Sequence, residues 1–321
     1  MPHVKVKKEK RLNKKKKVIF IVGPTGVGKT ETGLKLAEFF PCEFVSADSM
    51  QVYKGMDVAS DKLPLAMRRR YPHHLVDVIA LSKDYDVARF CKMALKAIGE
   101  IFEKKRIPVV IGGTGLYIES LIYGICQVSA KDKNVRLRIE EEIDRMGLDY
   151  AHEKLKGIDA VCAQRISCHD RHRIARALEV YELTGRPFSV QQERKGGLLS
   201  RYEVFQFGLR RDRSELYERI DQRVDFMINS GLLDEVRLVL KKKLSKTAYC
   251  CIGVREIEGF LKGEYDLTEA VRLIKRNSRH FAKRQLTWFN KNKDIEWIDL
   301  GKNFGAQDAA KLIFERIADR I

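Results

Sequence analysis

"GPTGVGKT", residues 23–30, follows the apolar run "VIFIV", 18–22. It matches the pattern Gly-x-x-x-x-Gly-Lys-Thr at every required position. Such a loop works because its glycines let backbone N–H groups turn inward around phosphate oxygens at a helix N-terminus. Gly23, Pro24, Thr25, Gly26, Val27 and Gly28 form the cradle; Lys29 supplies a mobile positive charge and Thr30 a hydroxyl for Mg²⁺. With a strand before it and a helix after it, the stretch reads as a diphosphate cradle. That is less than specifying ATP.

The segments around the loop alternate between strand and helix. "KVIFIV", "EFVSA" and "IPVVIGG" read as buried strands. "KTETGLKLAEFF" has helical spacing, and "ARFCKMALKAIGEIFEKKR" places Phe90, Ala94, Ala97 and Ile101 on one helical face. Continuous apolar strands separated by helices predict a parallel sheet covered on both faces. The fold class is therefore α/β, with a P-loop core spanning residues 17–123 and 200–321.

After about residue 124 helices, charges and turns replace strong strands. "RHRIARALEVYELTG" is a helix closed by Gly185, with Pro187 just beyond it. Gly196 and Gly197 offer a hinge before "YEVFQFGL" resumes strand character, so residues 124–199 read as a helical insertion. Three further helices are expected at 214–229, 232–243 and 268–289, the last opening on the capping-box pair Asp266 and Glu269. Its apolar face includes Val271, Ile274 and Phe281, and Arg272, Lys275, Arg279 and Lys283 recur on another.

A net charge of +18 over 321 residues exceeds what solubility requires and favours a polyanionic partner, most simply nucleic acid. It does not separate tRNA from DNA or from an acidic membrane. No apolar run approaches the ~20 residues of a membrane helix. The basic tail, 1–16, carries no secretory pattern and suits a solvated arm, an RNA grip or a targeting signal. Seven cysteines without a Cys-x-x-Cys pair suggest free buried thiols in a reducing cytoplasm rather than disulfides or zinc.

P-loop hydrolases normally end a second strand in an Asp that helps to hold Mg²⁺. Here "IPVVI" runs into "GGTGLY" with no carboxylate, which weakens an ATPase reading. The nearest strand-terminal acid is Asp48 in "VSADSMQVY". Asp48 and Thr114 each follow a strand, as the P-loop does, and strands of an open parallel sheet share one carboxyl-end rim. Asp48 could equally cap a helix, and Gly112–Thr114 could be a turn.

"GPTGVGKT", "SADSMQVYKGMD", "YPHHLVDV", "GGTGLYIESLIYG", "RIARALEVYELTGRP", "IGVREIEGFLKGE" and "RHFAKRQLTWF" occur in order between residues 18 and 299. Together they resemble the tRNA dimethylallyltransferase (tRNA isopentenyltransferase) family. The resemblance implies that the loop holds the diphosphate of dimethylallyl diphosphate, with Mg²⁺ as cofactor. It further implies that the acceptor is the N6 amine of the adenosine immediately 3′ of the anticodon, presented by a tRNA anticodon stem-loop. Asp48 matches the family's general base and Thr114 a position near substrate, with Lys29 stabilising the departing charge. Arg223 is a diphosphate candidate, or simply a solvated helix arginine.

On the tRNA side the resemblance carries over to Asp48, Ser49, Met50 and Gln51, with Gln51 as a base-edge reader. It also covers Thr114, Arg136, the run His172, Arg173, Ile174, Ala175 and Arg176, and the run Cys250, Cys251, Ile252, Gly253, Val254 and Arg255. The family usually has a basic or polar residue where Cys250 stands. Arg173 and Arg176, three residues apart, are expected on one helical face suited to phosphates. A cytoplasmic, monomeric tRNA prenyltransferase is the expectation, with no membrane partner. Its rivals are an adenylate isopentenyltransferase, a P-loop small-molecule kinase and a non-catalytic RNA-binding P-loop protein.

Overall fold

The structure, a computed structural model, describes residues 15–126, 132–191 and 194–318. The expected tail thus lies outside the described residues except for Lys15 and Lys16. Among the described residues the strands are β1 (Lys17–Val22), β2 (Cys42–Ser46), β3 (His73–His74), β4 (Ile107–Gly112), β5 (Ile125–Cys126), β6 (Arg194–Lys195), β7 (Glu203–Arg210) and β8 (Glu296–Asp299). Six of them form one sheet in the order β3-β2-β4-β1-β7-β8, every pair parallel. β1 sits inside it, with Ile19 in register with Val109 of β4 and with Phe205 of β7.

The helices before the insertion are α1 (Lys29–Leu36), α2 (Leu65–Arg70), α3 (Val87–Glu103) and α4 (Gly115–Tyr123). Within it lie α5 (Lys133–Met146), α6 (Leu148–Ile158), α7 (Ala160–Arg165) and α8 (Arg171–Thr184). After it come α9 (Arg213–Asn229), α10 (Leu232–Leu240), α11 (Lys246–Tyr249), α12 (Val254–Leu261), α13 (Leu267–Phe289) and α14 (Ala306–Ala318). Residues 18–22 of β1 are all fully buried, which explains a strand without polar alternation. Ile19 and Ile21 share a core cluster with Leu36 of α1, Leu216 and Ile220 of α9 and Ile313 of α14. On α3, Phe90, Ala94, Ala97 and Ile101 are buried as their spacing requires, and the helix packs on β2 and β4.

The chain divides into two compact units, one running to Ile122 and resuming at Leu198, the other Tyr123–Gly197. In the second, Ile139, Ile143, Leu155, Ile174 and Leu178 make a small helical core of their own. A two-residue antiparallel ribbon, Ile125 opposite Lys195, closes its ends. No helix among the described residues is long and apolar enough to cross a membrane.

Three local expectations need correction. Asp266 Oδ1 accepts the Glu269 N–H at 2.7 Å, but the Glu269 carboxylate goes to Arg272 at 2.6 Å, so only half of the capping box operates. Arg279 and Lys275 form no free basic face: they pair with Asp221 and Asp225 of α9. Helix α10 stops at Leu240, before the Lys241–Lys243 run.

Candidate active site

The P-loop bridges β1 and α1. Gly23 has φ 144°, and a Cβ there would stand 2.5 Å from the Leu209 carbonyl oxygen. Gly28, at φ 110°, opens α1 from the left-handed region that a side chain would strain. The loop's carbonyls are tied back. Arg219 Nε donates to Gly26 O at 3.0 Å, Arg211 Nε to Val27 O at 3.1 Å, and Lys29 Nζ to Pro24 O at 2.7 Å. Carbonyls so held cannot turn toward an anion, and the first N–H groups of α1 remain for it.

Parallel pairing puts the carboxyl ends of β1, β2 and β4 on one rim, at the side where the strand order reverses around β1. A cavity of about 650 Å³ opens there, walled by the P-loop, residues 48–51 and 59–61, α9, the 250–252 turn and α13. Asp48 lies in this wall. Its Oδ1 accepts the N–H groups of Met50 (2.7 Å) and Gln51 (3.3 Å), so it caps a tight turn as well as facing the cavity. Thr114 stands on the same rim, its N–H donating to Ala47 O at 3.3 Å, but it is not among the cavity-lining residues. Gln51 lines the cavity with its amide engaged: Oε1 accepts from Ser46 Oγ at 2.9 Å.

Charge is concentrated in this cavity. Burial pulls the Lys29 ammonium down to about 8, Asp48 and Asp61 opposing the shift and Arg223 adding to it. Arg223, half-buried on α9, pairs with Asp61 at 3.2 Å, while its Nε is buried without a hydrogen-bond partner among the described residues. A guanidinium with an unmet donor beside the P-loop suits a phosphate oxygen better than the solvated helix surface. Apolar side chains share the lining with these charges. Phe226, 67% exposed, and Met227 come from α9, and Ile274 and Phe281 from α13.

The P-loop and Asp48, carried by the next-but-one strand of the sheet, thus line one cavity, and no acid follows β4 directly. The family pattern described as IPP transferase matches residues 51–292. The chain belongs to the IPP transferase family. The chain is 44% identical over 302 residues to a tRNA dimethylallyltransferase of Carboxydothermus hydrogenoformans, covering 93% of this chain and 97% of that one. A crystallised tRNA isopentenylpyrophosphate transferase from Bacillus halodurans superposes with a TM-score of 0.68 at 35% identity, covering 95% of this chain and 98% of its own. A eukaryotic dimethylallyltransferase described as acting on tRNA gives 0.76 at 29% identity, over 94% of this chain and 78% of that one.

Sequence reasoning missed several members of this family member's site. Arg219, Asp61 and Phe226 line the cavity from outside the P-loop, and Gln285 accepts the Thr25 N–H without lining it; only the tertiary fold brings them together. In the "CCIGVR" run, Cys250 is exposed and accepts a contact from Arg255 Nη2 at 3.2 Å, and Ile252 lines the cavity. Cys251 and Val254 are buried, and Gly253, at φ 105°, opens α12. Cys42, Cys91 and Cys162 are buried free thiols too.

In the second unit the expected RNA-facing residues are largely occupied. Ile174 and Ala175 are 0% exposed and belong to the helical core, so neither offers a side chain to RNA. Arg176 pairs with the buried Glu179 at 2.9 Å. Arg136 pairs with Glu140 at 2.7 Å and lies 3.4 Å from His172. Arg173 is exposed and, among the described residues, its side chain makes only a 3.3 Å pair with Asp170, three residues before it. The two arginines should therefore separate. Arg176→Ala should lower stability by about 1–3 kcal/mol, because it strips a partner from a buried carboxylate. Arg173→Ala should leave the melting temperature nearly unchanged and reduce the salt slope of RNA binding by about 0.7–0.9. Thermal melts and a salt titration of tRNA binding check both; the reverse pattern would mean that Arg176 faces the RNA.

Proposed function

We propose that the protein transfers the dimethylallyl group of dimethylallyl diphosphate to the N6 amine of the adenosine immediately 3′ of the anticodon in tRNA, releasing diphosphate. The observation that carries this reading is the shared cavity: P-loop, Asp48 and apolar side chains of α9 and α13 together, with no acid after β4. The P-loop N–H groups, Lys29 and Arg223 hold the diphosphate and stabilise it as it leaves. Phe226, Met227, Ile274 and Phe281 are the apolar surface for the prenyl chain and the adenine ring.

An adenine amine is a weak nucleophile because its lone pair is delocalised into the ring. Asp48 accepts its proton as the carbon–nitrogen bond forms and the carbon–oxygen bond to diphosphate breaks. Reaching that amine requires the base to leave its stack, at a cost of a few kcal/mol that cavity contacts offset. Thr30 offers an oxygen of the kind Mg²⁺ takes, among the acids Glu31, Asp48 and Asp61 of the same cavity. Among the described residues no cluster of three His, Cys, Asp or Glu could hold a metal alone, so Thr30 would share the ion with the donor's phosphates. So held, Mg²⁺ would neutralise charge on the leaving group.

The separate helical unit and the +18 charge favour tRNA over free AMP as acceptor. We place the reaction in the cytoplasm, with the protein as a monomer. Incubation with labelled dimethylallyl diphosphate and either unmodified tRNA or AMP tests the assignment. Label should enter tRNA alone. Label in AMP, or brisk nucleotide hydrolysis without tRNA, would overturn it.

A further inference from the structure

We infer that Gln285 is a positioning residue that fixes the spacing between the P-loop and the Asp48 turn. Gln285 lies on α13, 6% exposed, and both ends of its amide are used on backbone. Its Oε1 accepts the N–H of Thr25 in the P-loop at 2.9 Å, and its Nε2 donates to the carbonyl of Gly113 after β4, also at 2.9 Å. From Gly113 the path continues. The next residue, Thr114, donates its N–H to Ala47 O, and Ala47, the residue before Asp48, donates its own N–H to Ile111 O at 2.7 Å.

One side chain thus links the loop that holds the leaving group to the turn that carries the base. The fit around it leaves no slack. A Cβ on Gly113 would stand 2.2 Å from Gln285 Nε2, and a Cβ on Gly115 would stand 2.3 Å from Trp288, one turn further along α13. Gly113 and Gly115 of "GGTG" and the glutamine and tryptophan of "RQLTWF" are therefore two halves of one contact. Gln285 touches neither donor nor acceptor in this arrangement. It acts on turnover by holding two loops at a fixed separation, where a displacement of about 1 Å costs on the order of a hundredfold in rate.

This inference rests on the prenyl-transfer reading, and label transfer from dimethylallyl diphosphate to tRNA by the wild-type protein checks that reading separately. Gln285→Ala should lower kcat with saturating tRNA and dimethylallyl diphosphate by about 10–100-fold. The Kd for inorganic diphosphate should stay within about threefold, because the N–H groups that hold it are not removed. Gly113→Ala, which pushes the amide aside and also crowds the Gly23 carbonyl at 3.2 Å, should lower kcat likewise and serves if Gln285→Ala folds poorly.

Gln285→Glu gives a readout that a packing role would not move. A carboxylate still accepts from Thr25 but faces the Gly113 carbonyl without a proton to donate. Burial and that carbonyl raise its pKa above the usual value of about 4.3. Its kcat relative to wild type should therefore rise as pH falls from about 8 to about 6, as the protonated form regains the second bond. A flat ratio across that range, or kcat per folded molecule within about threefold of wild type in the Ala and Glu variants, would overturn the assignment.

Discussion

Asp48→Asn should lower turnover on tRNA by roughly 10²- to 10⁴-fold while leaving the protein melting close to the wild-type temperature. The size of the loss is that of a positioned base. The preservation of the fold follows from what Asp48 does structurally. Its Oδ1 holds the Met50 and Gln51 N–H groups, and an asparagine carbonyl oxygen can accept both in the same place. Asn has no basic oxygen to take the adenine proton. Asp48→Ala, by contrast, removes the turn's acceptor and should also lower stability by the ~0.5–2 kcal/mol of a lost cap, and the melting temperature with it. Single-turnover rates with saturating tRNA and donor, alongside thermal melts, distinguish the two variants. An Asn variant within about threefold of wild type would assign proton removal to another group.

The residues that proved legible in the sequence share one property: their meaning is local. "VIFIV" followed by "GPTGVGKT" fixes a strand, a turn and a helix start within a dozen or so positions, and Asp48 announces itself by following an apolar strand. Arg219, Phe226 and Gln285 give no such signal, because α9 and α13 read only as amphipathic helices. Their approach to the P-loop depends on β7 pairing beside β1, a contact between residues far apart in sequence. The basic residues of α13 misled for the opposite reason. Arg279 and Lys275 recur on one basic face of their own helix, but their partners Asp221 and Asp225 are contributed by another. Likewise the "HRIAR" run sets two adjacent core positions between surface ones, as the 3.6-residue helical period allows, so Ile174 and Ala175 pack inward between arginines. The short edge strand β8, only four residues with two of them acidic, lacks the apolar run that marked the inner strands.

Lys29→Ala should weaken donor binding and slow chemistry together, by roughly 10²–10³ in kcat/KM, since the same ammonium faces the diphosphate before and during its departure. The pH dependence identifies the group. In the free protein Lys29 titrates at about 8, because withdrawal from water and the neighbouring Arg223 favour its neutral form over the pull of Asp48 and Asp61. Below that pH the ammonium is present and donor capture is at its best; above it the neutral amine binds the anion poorly. Bound diphosphate adds negative charge beside Lys29 and raises its pKa, so the complex keeps its proton through the range where the free protein loses it. The profile of kcat/KM for dimethylallyl diphosphate, which reports the free enzyme, should fall above about pH 8, while kcat stays level there. Lys29→Arg, whose guanidinium remains charged throughout, should abolish that fall even if it binds the donor less well. If the fall above pH 8 persists in Lys29→Arg and Lys29→Ala alike, another group controls donor capture.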